Sequence, residues 1–340
     1  MRVVGVDTHK ATLAACALDE RGGVVAERTF PNEPEGFEQL RAWLTERAVE
    51  RVGLEGSAGF GAAAARFLLA AGVAAVEVPP QLSYRERLRT RRAGKSDPGD
   101  ALAIARVTLR EPELPPVRLP DASRELHLLV EARDDLAAEM TRVRNRLHAD
   151  LVVLSPGYTA VAANLVAEKH RRTVGRLLRP LRGVQAELAR ERLGRLAKLA
   201  AELRSLDCRI EARVAGHPLL ALPGVGPLVT AKLVGEVGDV RRFRSADAFA
   251  MLAGVAPIPA SSGQTRRMRL NRGGNRQLNR ALHGIALAQV RSHPPAQAFV
   301  ARKRAEGKSW REALRALKRH LARIVFRILS ASAQPSVSGS

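Results

Sequence analysis

Four acidic side chains in the first part of the chain stand where predicted strands end or where a predicted helix begins. Asp7 ends the strand "RVVGVD" and Glu55 ends the strand "RVGLE". Asp97 and Asp100 stand three positions apart at the start of the helix "KSDPGDALAIA". Carboxylates at the ends of adjacent parallel strands and on a neighbouring helix can converge at one edge of a sheet and bind two divalent ions that promote phosphodiester cleavage. Mg²⁺ suits an all-oxygen site of this kind.

Each of these acids also has an ordinary structural interpretation. Asp97 can cap the helix, with Pro98 at its first position and Asp100 completing a capping box. Asp7 alone can be a turn residue, and Glu55 alone a solvated strand end. The metal hypothesis depends on the three places together, each at the end of an element.

Hydroxyl groups directly before arginines form a second candidate, in the stretch "ASSGQTRRMR" over residues 260–269. The hydroxyl residues are Ser261, Ser262 and Thr265, and the arginines are Arg266, Arg267 and Arg269. Guanidinium groups stabilise negative charge on the oxygens of a phosphodiester that a hydroxyl attacks. Taken alone, a Ser-Ser-Gly sequence indicates a turn or a cap, so the local sequence leaves both interpretations open.

Positive charge is concentrated in the second half of the chain. The sequence holds 56 Lys and Arg against 34 Asp and Glu, a formal net charge of +22. Residues 1–80 hold 8 basic and 11 acidic side chains, whereas residues 241–330 hold 20 basic and 3 acidic ones. A GC-rich genome would explain arginine in place of lysine but not this segregation, which indicates a nucleic-acid partner. Because aromatic residues make up only 4% of the chain, phosphate contacts are expected to outweigh base stacking.

Length, cysteine content and hydropathy bound the class of protein further. A chain of 340 residues can form two or three domains with substantial cores. Cys16 and Cys208 have no metal-binding spacing and cannot build a disulfide framework, which fits a reducing cytoplasm. The chain opens without a signal peptide, and no apolar run is long enough to span a bilayer. A soluble intracellular protein without a membrane partner is therefore expected.

Apolar patterning predicts an α/β region followed by helices. The stretches "RVVGVD", "ATLAACAL" and "VVAERTF" predict a meander of strands, and "RVGLEG" and "VAAVEVPP" predict two further strands between helices. Heptad patterns over 124–151 and 184–214 predict an antiparallel coiled-coil hairpin, within one chain or between chains, with an ordinary helical bundle as the alternative. The sequence "LPGVGPLVTAKLVGEVGDVRRF" (222–243) resembles a helix-hairpin-helix element whose Gly-rich turn holds a phosphate.

Five motifs, in order, resemble the insertion-sequence transposases that carry a RuvC-like DEDD domain. "GVDTHK", "LEGSAGFG" and "KSDPGDALAIA" resemble the D, E and D-x-x-D motifs of that domain. "LPGVGPLVTAKLVGEVGD" and "FAMLAGVAPIPASSGQTRRMRLNRGGNRQLNRAL" resemble the second domain of the same family, which also includes Piv-type DNA invertases and bridge-RNA-guided recombinases. The resemblance covers residues 1–110 and 217–330.

The resemblance implies a fold class for each part of the chain. Residues 1–115 are expected to form an RNase H-like (RuvC-like) α/β nuclease domain, and residues 116–216 a helical coiled-coil spacer. Residues 217–330 are expected to form a mainly α-helical transposase domain with a helix-hairpin-helix element, followed by a disordered tail over 331–340.

The resemblance also assigns roles to individual residues. Its acidic quartet corresponds to Asp7, Glu55, Asp97 and Asp100, with Mg²⁺ as cofactor. Its second domain supplies a serine, just before a glycine, that attacks DNA and forms a phosphoserine link. Ser262 matches best because it precedes Gly263, and Ser261 is the alternative nucleophile. Nucleic-acid contacts are expected from Gly224, Gly226, Arg266, Arg267, Arg269, Arg272 and Arg276.

The implied partners are donor and target DNA, a structured guide RNA and further copies of the chain in a dimer or tetramer. The implied location is the bacterial cytoplasm, with association to the nucleoid when the protein is bound. Three alternatives stay open: a RuvC-like junction nuclease that uses water, a non-catalytic nucleic-acid-binding protein, and an actin-like sugar kinase. A kinase is disfavoured because His9 and Lys10 follow the first strand where a Gly-containing phosphate loop is expected.

Overall fold

The structure is a computed structural model. This structure describes residues 2–89, 97–117, 121–259, 268–269, 271 and 273–333, with the backbone alone for Asp97, Pro98, Pro259 and Met268. The chain forms two compact units, Met1–Pro120 and Asp121–Ser340. Residues 334–340, which fall in the predicted disordered tail, lie outside the described part of the chain.

A mixed five-stranded sheet forms the centre of the first unit. Its strands are β1 (Val3–Thr8), β2 (Thr12–Leu18), β3 (Val24–Pro31), β4 (Arg51–Glu55) and β5 (Ala75–Glu77), in the order β3-β2-β1-β4-β5. The first three strands pair antiparallel as a meander, while β4 and β5 continue the sheet in parallel with β1. The predicted α/β domain with strands alternating with helices is therefore confirmed.

Helices cover both faces of this sheet. They are α1 (Pro34–Glu46), α2 (Ala62–Ala70), α3 (Pro80–Arg89) and α4 (Asp97–Arg110). Because side chains alternate along a strand, Val4 and Val6 of β1 pack with α1 and α2, while Val3 packs against α4. Asp7 shares the alternation of Val3 and so belongs to the α4 face.

Two glycines allow α4 to lie directly on the sheet. A Cβ atom on Gly5 of β1 would come within 2.2 Å of the Ala105 backbone nitrogen and 2.4 Å of the Ala101 carbonyl oxygen. A Cβ on Gly53 of β4 would meet the Thr108 hydroxyl at 1.8 Å. Only glycine permits this close approach, which sets the distance of α4 from β1 and β4.

The second unit is almost entirely helical. Its helices are α5 (Ala122–Leu154), α6 (Thr159–Ala162), α7 (Glu168–Leu178), α8 (Val184–Val214), α9 (Pro227–Val237), α10 (Ala246–Leu252), α11 (Arg276–Ser292), α12 (Pro294–Ala305) and α13 (Trp310–Ser332). Short 3₁₀ turns occur at Pro218–Ala221 and Val240–Arg242, and β6 (Ile258–Pro259) pairs antiparallel with β7 (Met268–Arg269). Among the residues described in either unit, no helix is long and apolar enough to cross a membrane.

The two long helices α5 and α8 pack antiparallel within the chain. Their shared apolar cores hold Leu126, Leu129, Val143, Leu147, Leu196, Leu199, Leu206 and Ile210. Charged residues interrupt the apolar heptads of α5, and the structure gives each a partner on α8: Arg133 Nε lies 2.9 Å from Asp207, and Asp150 pairs with Arg192. Packing by these two helices agrees with the predicted hairpin, whereas supercoiled coiled-coil geometry stays a prediction.

The C-terminal core gathers α9, α10, α11 and α13. Its fully buried members include Leu233, Phe249, Leu282 and Leu321. In the region predicted to be helix-hairpin-helix, the turn is preceded by the 3₁₀ turn Pro218–Ala221 and followed by α9. The helix-hairpin-helix assignment stays a prediction.

Candidate active site

Asp7 and Glu55 form a register pair on adjacent parallel strands. Asp7 of β1 lies opposite Glu55 of β4, just as Gly5 lies opposite Gly53 two residues earlier. Register partners on neighbouring strands are about 4.8 Å apart and point to the same face. Both carboxylates therefore project toward the α4 side of the sheet, at the end of the strands.

Helix α3 connects Glu55 to Asp100. The Ser83 hydroxyl donates a 2.6 Å hydrogen bond to Glu55 Oε2, and Arg87 Nη1 lies 2.8 Å from Asp100 Oδ1. Ser83 and Arg87 are four residues apart and so share one face of α3. One face of α3 therefore contacts both Glu55 at the end of β4 and Asp100 of α4.

The side chain of Asp97 lies outside the described part of the chain. Its backbone forms the first residue of α4, as the sequence predicts for a helix start. Asp100 stands one turn further on and is 9% exposed. The structure therefore describes three of the four predicted acids, and the role of Asp97 stays a prediction.

Asp7 also has a basic neighbour that the sequence analysis used only to disfavour a kinase. His9 Nε2 lies 3.0 Å from Asp7 Oδ2. Asp7, Glu55 and Asp100 thus have protein partners in His9, Ser83 and Arg87, respectively. A cation that binds these acids has to displace or join those partners.

Glu77 is an acidic residue near this edge that the sequence analysis missed. It ends β5, the strand beside β4, and Leu54 is its register partner. Its Oε2 atom is buried without a hydrogen-bond partner. Burial raises the pKa of Glu77, and the nearby Glu55 carboxylate adds to the rise, whereas hydrogen bonds from Ser57 and Gly56 oppose it. The apolar stretch "VAAVEVPP" continues past Glu77, so the strand-end rule that selected Asp7 and Glu55 does not select it, and only the structure shows that β5 ends there.

The described acids supply oxygen ligands but do not form a preassembled metal cluster. Across the described ranges, no group of three or more His, Cys, Asp or Glu side chains is arranged to hold a metal ion. The donor set of Asp7, Glu55 and Asp100 is nonetheless all oxygen and lies beside one face of the sheet, which fits Mg²⁺ in chemical character.

The predicted nucleophile segment lies between two paired strands of the second unit. Ile258 of β6 is the register partner of Arg269 of β7, and Ser261, Ser262 and Thr265 stand in the sequence between them. These three hydroxyl residues lie outside the described residues, as do Arg266, Arg267 and Arg272. Of the remaining predicted arginines, Arg269 is exposed on β7, and Arg276 is exposed in the first turn of α11.

In the predicted phosphate-binding turn, the first glycine, Gly224, has a structural role. Gly224 has a φ of +80°, and a Cβ there would lie 3.0 Å from the Ala288 Cβ of α11. Gly226 caps α9 and has open space beside it. Gly224 is thus required for the turn and its packing, and a phosphate contact at Gly226 stays a prediction.

Two protein-family models match separate parts of this chain. A DEDD-type model named for IS110 and described as "Transposase" matches residues 4–156. A second model, described as "Transposase IS116/IS110/IS902 family", matches residues 216–301. The protein is thus an enzyme of the transposase class, which catalyses DNA strand transfer. Both matched segments are similar to transposases of the IS116/IS110/IS902 family.

Similar proteins extend over nearly the whole chain. The insertion element IS900 uncharacterized 42 kDa protein of Mycobacterium paratuberculosis is 28% identical, over 96% of this chain and 94% of its own length. The insertion element IS110 uncharacterized 43.6 kDa protein of Streptomyces coelicolor is 29% identical, over 96% and 93% respectively. The pilin gene-inverting protein of Moraxella lacunata is 23% identical, over 96% and 95%.

Among solved structures, Thermus thermophilus RuvC in complex with a Holliday junction substrate matches 34% of this chain and 100% of its own. The sequence identity is 17% and the TM-score is 0.28. Because this score is low, the architecture of the first unit rests on its own strand order and not on the similarity to RuvC.

Proposed function

We propose that this transposase cuts and rejoins DNA with a Mg²⁺-dependent acidic site and a serine nucleophile, forming a phosphoserine–DNA intermediate. The acids are Asp7, Glu55, Asp97 and Asp100, and the nucleophile is Ser262, with Ser261 as the alternative. The observation that carries the proposal is the Asp7–Glu55 register pair, linked by the Ser83 and Arg87 face of α3 to Asp100.

The chemistry of the proposed transfer conserves phosphodiester bonds. The serine Oγ attacks a DNA phosphorus, the Oγ–P bond forms, and one P–O bond to a strand oxygen breaks. The proton of the serine hydroxyl is balanced by the proton that the released strand oxygen takes up. Rejoining is the reverse, with a strand hydroxyl as nucleophile and serine as the leaving group, so the net reaction consumes no water.

The acids contribute by binding cations at the reacting phosphate. Asp7, Glu55, Asp97 and Asp100 would hold Mg²⁺, which supplies charge neutralisation and activation of the nucleophile when bound. Arg87 keeps Asp100 paired, and Ser83 orients Glu55, when no cation competes. The proposal requires the serine and the acids to share one composite site, from one chain or from two.

Charge supports the nucleic-acid partners of this reaction. The second unit, residues 121–340, holds 39 basic and 18 acidic side chains, so it carries nearly all of the +22 net charge. A unit of this charge fits the backbones of donor and target DNA. The structured guide RNA and the dimer or tetramer are part of the proposal through the family resemblance.

The test is whether the protein becomes covalently joined to DNA through Ser262. Purified protein is incubated with labelled element-end DNA, transcripts of the flanking non-coding region and Mg²⁺, then denatured and separated on a gel. Wild type and Ser261→Ala are expected to give a labelled protein band, with the latter reduced, and Ser262→Ala is expected to give none while binding DNA normally.

The matched pair of serine variants decides among the alternatives. A band in Ser262→Ala but not in Ser261→Ala would assign the nucleophile to Ser261. Recombination by the double variant would reject a serine nucleophile and favour the water-using junction nuclease. Loss of DNA binding without loss of folding in Asp7→Asn would favour a binding role for the acids over a catalytic one.

A further inference from the structure

A basic cavity lies beside the strand pair that flanks the serine segment. It has a volume of about 590 Å³ and is lined by residues 254–257, by Asn279 of α11 and by the N-terminal part of α13. Its charged lining residues are Arg269, Lys308, Glu312, Arg315, Lys318 and Arg319. Five of these six are cationic, so the cavity concentrates positive charge in a concave space.

Lys318 is the most buried cation of this cavity. It is 9% exposed, and its Nζ donates a hydrogen bond to Asn279 Oδ1. The Asn279 amide is itself fixed, because its Nδ2 donates to the carbonyl oxygens of Ala253 and Gly254 at 3.0 Å each. The lysine is therefore held by a neutral partner of defined orientation.

Lys318 has no carboxylate partner in the described part of the chain. Glu312, the acidic lining residue, is engaged in the capping box of α13 with Ser309. Residues 260–267, 270 and 272 contain no Asp or Glu that could approach from the neighbouring segment. Burial lowers the pKa of Lys318, and the positive charge of Arg315 lowers it further. A buried ammonium among like charges is costly unless an anion joins it.

Arg319 offers a second donor without a partner. Its Nη2 lies 3.5 Å from Asp247, but its Nε is buried without a hydrogen-bond partner. Buried donors in folded proteins are nearly always paired, so an orphan N–H beside a cationic cavity indicates a missing acceptor. The unpaired Arg319 Nε and the uncompensated Lys318 charge are two separate indications of a missing anionic partner, and both residues line this cavity.

We propose that this cavity binds a phosphodiester group of the DNA strand undergoing transfer, with Lys318 and Arg319 as ligands. The inference deepens the proposed serine chemistry, because it places the phosphate-holding residues of that reaction. DNA is favoured because Pro257 and Arg269, which line the cavity, lie just before and just after the segment that contains Ser262. Ser262 is five residues from Pro257, so its Cα can be at most about 17 Å from the Pro257 Cα at this rim.

The first experiment uses inorganic phosphate as the probe on the full chain. The thermal midpoint is measured in phosphate and in chloride at matched ionic strength. Wild type is expected to be stabilised by phosphate, because a ligand that binds only the folded state raises the midpoint. Lys318→Gln keeps a donor for Asn279 but removes the charge, and it is expected to lose the phosphate-specific shift. Arg327→Gln, an exposed charge on the same helix, is expected to retain it.

The second experiment uses element-end DNA. Lys318→Gln is expected to lower the salt dependence of DNA affinity by about 0.9 in log K per log salt, as for one lost phosphate contact. It is also expected to lower the yield of covalent adduct about tenfold or more, because a charge-assisted contact is lost. Arg319→Gln, at the cavity wall, provides a second variant with the same expected direction should Lys318→Gln fold poorly.

The outcomes separate this inference from the proposed nucleophile. Equal phosphate stabilisation in wild type, Lys318→Gln and Arg319→Gln would overturn the cavity assignment, whatever the serine variants do. Loss of the phosphate effect with unchanged DNA affinity and adduct, but weakened binding of the structured RNA, would assign the cavity to RNA and overturn the DNA assignment. Because phosphate stabilisation needs no chemistry, it stands even if the double serine variant still recombines.

Discussion

Asp7 and Glu55 are register partners on β1 and β4, and their side chains share the face of the sheet on which α4 rests. The residues two positions earlier, Gly5 and Gly53, are the two that let α4 approach the sheet. The same alternation therefore fixes where the helix packs and where the strand-end acids point. The acidic site depends on the packing of α4 as much as on the acids themselves.

Replacement of Asp7 tests the cation role of this pair. Asp7→Asn is expected to abolish Mg²⁺-dependent strand cleavage, because it removes a charged ligand while keeping the side-chain shape. Stability in chelator is expected to hold or rise, because one of two neighbouring carboxylates becomes neutral. Cleavage is measured on labelled DNA and stability by thermal unfolding.

Asp19→Asn is the matched control for this change. Asp19→Asn also removes one negative charge, but Asp19 follows the end of β2 that is far from Asp7. The side-chain oxygen of the new Asn can still accept the hydrogen bonds from the backbone N–H groups of Arg21 and Gly23. It is expected to cleave normally. Cleavage by Asp7→Asn at the wild-type rate would show that Asp7 is not a cation ligand.

The close contact at Gly5 predicts a strong effect of a single methyl group. Gly5→Ala is expected to destabilise the protein by about 1–3 kcal/mol or more, because the new Cβ meets backbone atoms of α4 that cannot turn aside. It is also expected to lower cleavage, since α4 carries Asp100. Gly194→Ala, in α8 with nothing within 4 Å, is expected to stabilise by about 0.5–1 kcal/mol. Denaturant unfolding measures both, and equal effects would contradict the close-packing account.

The Arg87–Asp100 ion pair predicts a link between cation binding and stability. Arg87→Met is expected to destabilise the chelated protein, because it leaves a largely buried carboxylate without this partner. Mg²⁺ is then expected to raise the thermal midpoint more in Arg87→Met than in wild type, because the cation no longer competes with the guanidinium. Arg85→Met, an exposed change on the same helix, serves as control. An identical Mg²⁺ response in all three proteins would mean that Asp100 does not meet the cation.

The raised pKa of Glu77 predicts a pH-dependent stability difference. Its ordinary value is 4.5, and burial followed by the Glu55 charge raises it in the folded protein. Between the unfolded and folded pKa values the folded state binds more protons, so this group's contribution to stability falls as pH rises through that window. Glu77→Gln lacks the effect and is expected to gain stability relative to wild type as pH rises from below 4.5 to neutrality.

Denaturant unfolding in chelator at a series of pH values measures this difference. Glu38→Gln, which removes an exposed carboxylate from α1, is the control for the loss of one acidic side chain. A difference between Glu77→Gln and wild type that stays constant with pH would show that the folded protein does not raise this pKa.

The charge distribution predicts how the protein holds nucleic acid. Affinity for duplex DNA is expected to fall steeply with salt, and the double change Arg266→Gln with Arg267→Gln is expected to reduce the slope of log K against log salt by about 2. Arg172→Gln, which removes an exposed charge already paired with Glu168, is expected to change the slope little. An unaltered slope in the double variant would show that these two arginines do not contact DNA phosphates.

The sequence by itself predicted the strands of the first unit and the residue types of the candidate site. Period-2 and helical apolar patterns predicted the strand meander and the later strands, because local burial imposes those periods on the residues themselves. Strand-end acids and the basic second half were visible because each is a matter of residue type and position along the chain. Glu77 was missed because the apolar stretch "VAAVEVPP" continues past it, although β5 ends there in the structure.

Only the tertiary structure decided which of these residues meet. The pairing of Asp7 with Glu55 depends on strand register between segments 48 residues apart, and a shift of one residue would turn one carboxylate to the other face. Ser83 and Arg87 reach the acids, and Lys318 meets the Asn279 side chain, through contacts between elements that fold onto each other. Local sequence patterns do not predict such contacts, because the contacts form only when faces of separate elements pack together and exclude water.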